Sequence, residues 1–74
     1  MVTQEKIYDA IKTDIEALAD RLQSNKDYYS LSRLLREERE IFEKETFARK
    51  YDFISAEQFD YLDKKLRDTI AIFH

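Results

Sequence analysis

Glycine, proline, cysteine and tryptophan are absent from the 74 residues, and the one histidine, His74, ends the chain. Each absence removes a class of structure or chemistry. Tight hairpin turns need backbone at positive φ, which glycine adopts without steric cost, so a chain lacking it is poorly equipped for an all-β fold. Phosphate-cradling glycine loops go with it. Without cysteine there are no disulfides, thiolate metal sites or thiol nucleophiles, and a reducing cytoplasm is the expected location. A nucleophile or general acid needs a tuning group beside it, and one terminal histidine, which an affinity tag would also supply, builds no Ser–His or Cys–His pair. The chain is expected to be no enzyme and to hold neither metal nor cofactor.

Long apolar runs are missing as well. Hydrophobic residues make up 43% of the chain, yet no run approaches the roughly 20 residues that cross a bilayer, and no cationic stretch leads into an apolar one at the start. No membrane association is expected. The net charge of −3 disfavours a general attraction to polyanions. The length suits one domain, residues 1–74, whose thin core makes a lone monomer marginal.

What is present is helical periodicity. Ile7, Ile11, Ile15, Leu18 and Leu22 recur at spacings that place them on one narrow stripe, and Thr3 can cap a helix over residues 4–23. Ser24-Asn25-Lys26-Asp27 is a polar corner with a weak capping box. No breaker follows until Tyr51, so a long central helix is predicted over 25–51, about 40 Å against about 30 Å for the first, which leaves an overhang. Ser55-Ala56-Glu57-Gln58 is a full capping box, with Ile54 and Phe59 as its hydrophobic staple. It opens a third helix, residues 56–73, with Phe59, Leu62, Leu66, Ile70 and Phe73 on one stripe. The expected fold is all-α, a three-helix antiparallel bundle with a long central helix, completed by homodimerisation that covers the overhang.

The central segment holds the candidate sites. Glu37, Glu38, Glu40, Glu43 and Glu45 lack the Glu-x-x-His partners of a dimetal bundle and read as a solvated face. Arg33, Arg36 and Arg39 form a ridge, each with a glutamate four residues on (Glu37, Glu40 and Glu43), so the ridge is expected to neutralise itself. A nucleic-acid-associated regulator using that ridge, with Tyr28 and Tyr29 as stacking platforms, is the alternative function. At about 100° per residue, Tyr28, Leu31, Leu34, Leu35, Ile41, Phe42 and Ala48 spread over an arc of about 160°, wide enough to touch two neighbours. Glu38 and Glu45 fall near its middle; there a glutamate is either buried and paired, or it marks an open groove between two seams.

Tyr29, Phe47 and Tyr51 do not fit this arc. In a straight helix they lie opposite Leu31 and Leu35 and read as interface anchors, with Arg33 and Arg36 at the rim. A break near Thr46, the favoured geometry, would instead turn Phe47, Tyr51 and Phe53 into the second corner against Phe59.

The stretches Ala56-Glu57-Gln58-Phe59-Asp60-Tyr61-Leu62 and Asp68-Thr69-Ile70-Ala71-Ile72-Phe73 resemble the second helix of the small co-chaperones that hold needle subunits in type III secretion. The opening Thr3-Gln4-Glu5-Lys6 is similar to small plasmid RNA-binding helical hairpins. Both resemblances imply two helices, where two corners are legible here, and no functional residue is carried over from either. The function expected is that of a small protein–protein interaction module, an adaptor, co-chaperone or inhibitor-like regulator, whose partner is another protein or itself.

Overall fold

The structure, a computed structural model, describes residues 4–24 and 30–73, which form three α-helices: α1 (Gln4–Ser24), α2 (Leu31–Lys50) and α3 (Ala56–Phe73). Arg21 on α1 meets Glu37 on α2, and Asp14 meets Lys44, so α1 and α2 run antiparallel. Each helix packs against the other two, and α1 fits more closely to α3 than to α2. There is no strand among the described residues.

The stripe on α1 and that on α3 as far as Ile70 do what their spacing dictates, the Phe73 side chain lying outside the described ones. Ile11, Ile15, Leu18 and Leu22 are buried from α1, and Leu62 and Leu66 from α3, while Ile7, Phe59 and Ile70 pack partly exposed against them. Thr69 is buried on α3 as well, its hydroxyl donating to the Lys65 carbonyl at 2.9 Å, which is how a small polar side chain enters an apolar layer without an unmet donor.

Helix α2 departs from expectation at its start. Ser30 has extended backbone (φ −79°, ψ 158°), and its Oγ accepts from the Arg33 amide at 3.2 Å, so the helix begins at Leu31 and not at residue 25. Ser30 lacks the glutamate or glutamine three positions on that would have advertised a capping box; Arg33 stands there. Consequently α2 is 20 residues long, about 30 Å, close to the length of α1, and the expected overhang does not exist. The proposed caps at Thr3 and at Ser24 to Asp27 involve residues 1–3 and 25–29, outside the described residues.

The favoured break near Thr46 is also absent. Helix α2 continues through it, with the Thr46 hydroxyl donating to the Glu43 carbonyl at 3.0 Å, a local bond that accommodates a β-branched residue in mid-helix. The helix stops at the second corner by a Schellman arrangement. The Phe53 amide donates to the Ala48 carbonyl at 2.7 Å, the Asp52 amide to the Arg49 carbonyl at 3.2 Å, and Asp52 sits at φ 60° in the left-handed region. A glycine would ordinarily occupy that position. Aspartate tolerates it better than most residues, and Arg49 Nη1 holds Asp52 Oδ1 at 3.0 Å. The hydrophobic contact that accompanies such caps is Phe53 with Phe47, ring centroids 6.3 Å apart. Asp52→Val should therefore lower stability by about 1–2 kcal/mol, whereas Asp52→Gly should change it by less than about 1 kcal/mol. Urea unfolding of the two variants checks this.

At Ser55 the capping box forms as expected: the Ser55 amide donates to Gln58 Oε1 at 2.9 Å and the Gln58 amide to Ser55 Oγ at 3.1 Å. Ile54 is buried beneath it, and Phe59 packs on the same core.

Candidate functional site

Only one narrow seam of α2 enters the core. Leu34, Ile41, Glu45 and Ala48 are buried, and they lie within about 60° of one another around the helix. Leu31, Leu35 and Phe42, expected in the core as part of a broad arc, are 50%, 48% and 42% exposed. They fall together on the flank of α2 that faces α3, where Phe42 lies beside Leu66 and Ile70. The arc is thus one seam with an exposed apolar flank, because a three-helix bundle offers α2 only two neighbours and no fourth surface to cover that flank.

Glu45 departs from both alternatives foreseen for it. It is completely buried, and neither carboxylate oxygen has a hydrogen-bond partner. Desolvation, and secondarily the charge of Asp63 on α3, pushes its pKa from the usual 4.5 up to about 7. With no solvent contact, this carboxyl cannot reach a substrate. The other acidic residues of α2 divide: Glu40 and Glu43 are exposed, as expected of a solvated face, but Glu37 and Glu38 are half-buried. No group of three or more histidine, cysteine, aspartate or glutamate side chains among the described residues is arranged to hold a metal ion.

On its other flank α2 forms a groove with α1. Ile11 and Ala48 make the buried floor, while Ile7, Ala10, Phe47 and Phe53 form the walls around a volume of about 730 Å³. The lining is almost wholly apolar except at the rim, which carries Asp14, Glu40, Glu43 and Lys44. Lys44 Nζ donates to Asp14 Oδ2 at 2.8 Å across the two helices. Further along the same side, Arg21 reaches Glu37 at 3.5 Å. These two ion pairs link α1 to α2.

Phe47 lines the groove and Tyr51 packs against it from outside the lining, their rings 4.7 Å apart, and both remain largely exposed at 57% and 54%. Lys50 Nζ lies 5.6 Å from the centre of the Tyr51 ring. A straight α2 therefore keeps these aromatics at the surface, where the expected break would have turned them inward. Arg33 and Arg36 lie toward the opposite end of the helix, lining a polar recess with Ser30, Ser32, Glu37 and Glu40. Phe47 lies eleven positions after Arg36, about 16 Å along the axis, so the arginines do not rim the aromatic pair. Tyr29, like Tyr28, lies outside the described residues.

The expected self-neutralisation of the arginine ridge is incomplete. Arg33 Nε lies 3.8 Å from Glu37 Oε1, but among the described residues neither Arg36 nor Arg39 forms an ion pair with its glutamate. Phe53, Ile7 and Ala10 were not foreseen as site residues. The groove they share joins residues distant in sequence, and periodicity along one helix carries no signal for it.

No known protein family, curated protein or solved structure matches this chain. The three observed helices also differ from the two-helix hairpins that the type III secretion co-chaperone and plasmid resemblances implied.

Proposed function

We propose that this protein is a non-catalytic protein–protein interaction module, of the adaptor, co-chaperone or inhibitor-like kind, that acts by burying helix surface against another protein or a second copy of itself. The observation that carries the reading is the set of large apolar side chains left outside a core already formed. Phe47, Tyr51 and Phe53 cluster at one end of α2, and Leu31, Leu35 and Phe42 line its other flank. Contiguous apolar surface of this kind on a small chain marks a contact site, and aromatic rings are favoured anchors. Homodimerisation belongs to the same proposal, although its motive is now the exposed flank and not an overhang.

Molar mass in solution across concentration, together with titration of a panel of amphipathic helical peptides of either charge, tests this. The expected result is either a mass rising above 9.0 kDa or saturable peptide binding on α2. A particle of constant monomer mass that binds no peptide of the panel would refute it.

One observation favours a second reading, a nucleic-acid-associated regulator: Arg36 and Arg39 are left without ion pairs among the described residues. Against it stand the net charge of −3 and the interleaved Glu40 and Glu43. Binding through phosphates should weaken steeply with added salt, so an absence of DNA or RNA binding at low salt eliminates this alternative.

A further inference from the structure

The α1/α2 groove has a definite chemistry as well as a shape. Its contact lengths are short: residues 7–14 on α1 and 40–48 on α2 each span about 10–12 Å, two helical turns. That length accommodates apolar side chains at i, i+3 or i+4, and i+7 of an entering helix. Ala10 and Ala48 are the small residues of the lining, and they leave room for a third backbone to approach α1 and α2 at helix-packing distance. The groove is open along its length, which suits a rod better than an enclosed small molecule.

Charge at the rim selects among rods. Asp14 and Lys44 satisfy each other at 2.8 Å, so neither offers a free charge. Glu40 and Glu43 are exposed and have no ion-pair partner among the described residues. Glu43 stands one turn before Phe47, beside the aromatic wall. Among the residues that line the groove, the unpaired charge is therefore negative, Arg36 and Arg39 one turn before these glutamates lying outside the lining. A second copy docked on this groove by a two-fold axis would bring the same patch against itself, acids facing acids, because an isologous interface is self-complementary.

We propose that the α1/α2 groove is the docking site for a single amphipathic helix of a partner protein, apolar on one face and lysine- or arginine-rich along its flanks. This deepens the interaction-module reading and rests on it. The apolar face enters between Phe47, Phe53, Ile7 and Ala10, and the flanking cations meet Glu40 and Glu43. Docking turns three helices into a four-helix bundle.

The test uses the full chain and two synthetic helical peptides of about 15 residues, four turns, with leucine at i, i+3 or i+4, and i+7 and either lysine or glutamate at the flanks. Backbone amide shifts of the labelled protein report where each peptide sits. The lysine peptide is expected to shift Ile7, Ala10, Phe47 and Phe53 and to bind about tenfold more tightly than the glutamate peptide, the effect of a few screened surface pairs. Added salt should narrow that ratio. Glu40→Lys combined with Glu43→Lys, two exposed positions whose change leaves the core intact, should invert the preference. Equal affinity for both peptides, shifts confined to the Leu31, Leu35 and Phe42 flank, or a dimer whose contact covers the groove would each overturn the assignment while leaving the interaction-module reading in place. No peptide binding from a strictly monomeric particle would end both.

Discussion

At pH 8, Glu45→Leu is expected to raise the free energy of unfolding by about 3 kcal/mol and the melting temperature by roughly 15 °C. The wild-type carboxylate is fully buried and makes no hydrogen bond. Its pKa rises on folding from 4.5 to about 7, so holding it ionised inside the protein costs what that rise represents, roughly 3 kcal/mol. Leucine removes the charge and the two unmet acceptors together, and replacing buried ionic groups by apolar ones of similar volume is commonly stabilising. The pH dependence follows from the direction of the displacement. Between pH 4.5 and about 7 the native state binds more protons than the unfolded state. Wild-type stability is therefore greatest at the acidic side of that window, falls as pH rises through it, and levels off above. Glu45→Gln should abolish this slope with a smaller gain, since a buried amide without partners is still unfavourable. Asp63→Asn should reduce the slope by removing the secondary cause. Denaturant unfolding at pH 5 and pH 8 measures all four proteins. Equal wild-type stability at the two values would show that Glu45 is not buried as described.

Leu34 and Leu35 are neighbours in sequence, yet their alanine variants should behave as differently as any pair in the chain. Leu34 is wholly buried in the α2 seam, whereas Leu35 is 48% exposed on the flank. Leu34→Ala loses the transfer free energy of its side chain and leaves a cavity, together about 2–5 kcal/mol. For a chain of this length total stability is only about 4–11 kcal/mol, so that variant should lose a large fraction of it and unfold at a much lower urea concentration. Leu35→Ala should shift stability by less than about 1 kcal/mol. Circular dichroism with urea titration separates them, and similar losses at the two positions would mean that the flank is part of the core.

How legible this fold was in its sequence depended on whether each signal was local. The α1 stripe and the Ser55 capping box involve contacts within a few residues, and both stand as the spacing indicated. The N-cap at Ser30 was hidden because its third helical position is arginine, so only half of the box is written. Helix α2 runs on through Thr46, whose hydroxyl finds a partner in the Glu43 carbonyl, and one β-branched residue among strong helix formers is no breaker. Asp52 shows a second limit. Its left-handed backbone closes the helix without a glycine, and the composition alone had argued against positive φ. The apolar arc was correctly located on α2, but its burial depended on how many neighbours the helix has. Two neighbours bury Leu34, Ile41 and Ala48 and leave Leu31, Leu35 and Phe42 outside. The groove was illegible for the same reason, since Phe53 and Ile7 line it from parts of the chain far apart in sequence.

These distinctions matter for function because the proposed contact surface must be separable from the core that supports it. Phe47 and Phe53 accompany the helix-terminating turn, yet the hydrogen bonds of that turn are backbone bonds that survive loss of the ring. Exposed aromatics can then serve a partner without the fold depending on them. The most direct test is thermal unfolding, followed by circular dichroism, of the double variant Phe47→Ala, Tyr51→Ala. The expected result is native helicity at low temperature and a midpoint lowered by only a few degrees. Loss of helicity, or a drop in midpoint comparable with that of Leu34→Ala, would show that the two rings hold the bundle together and are not a surface kept for binding.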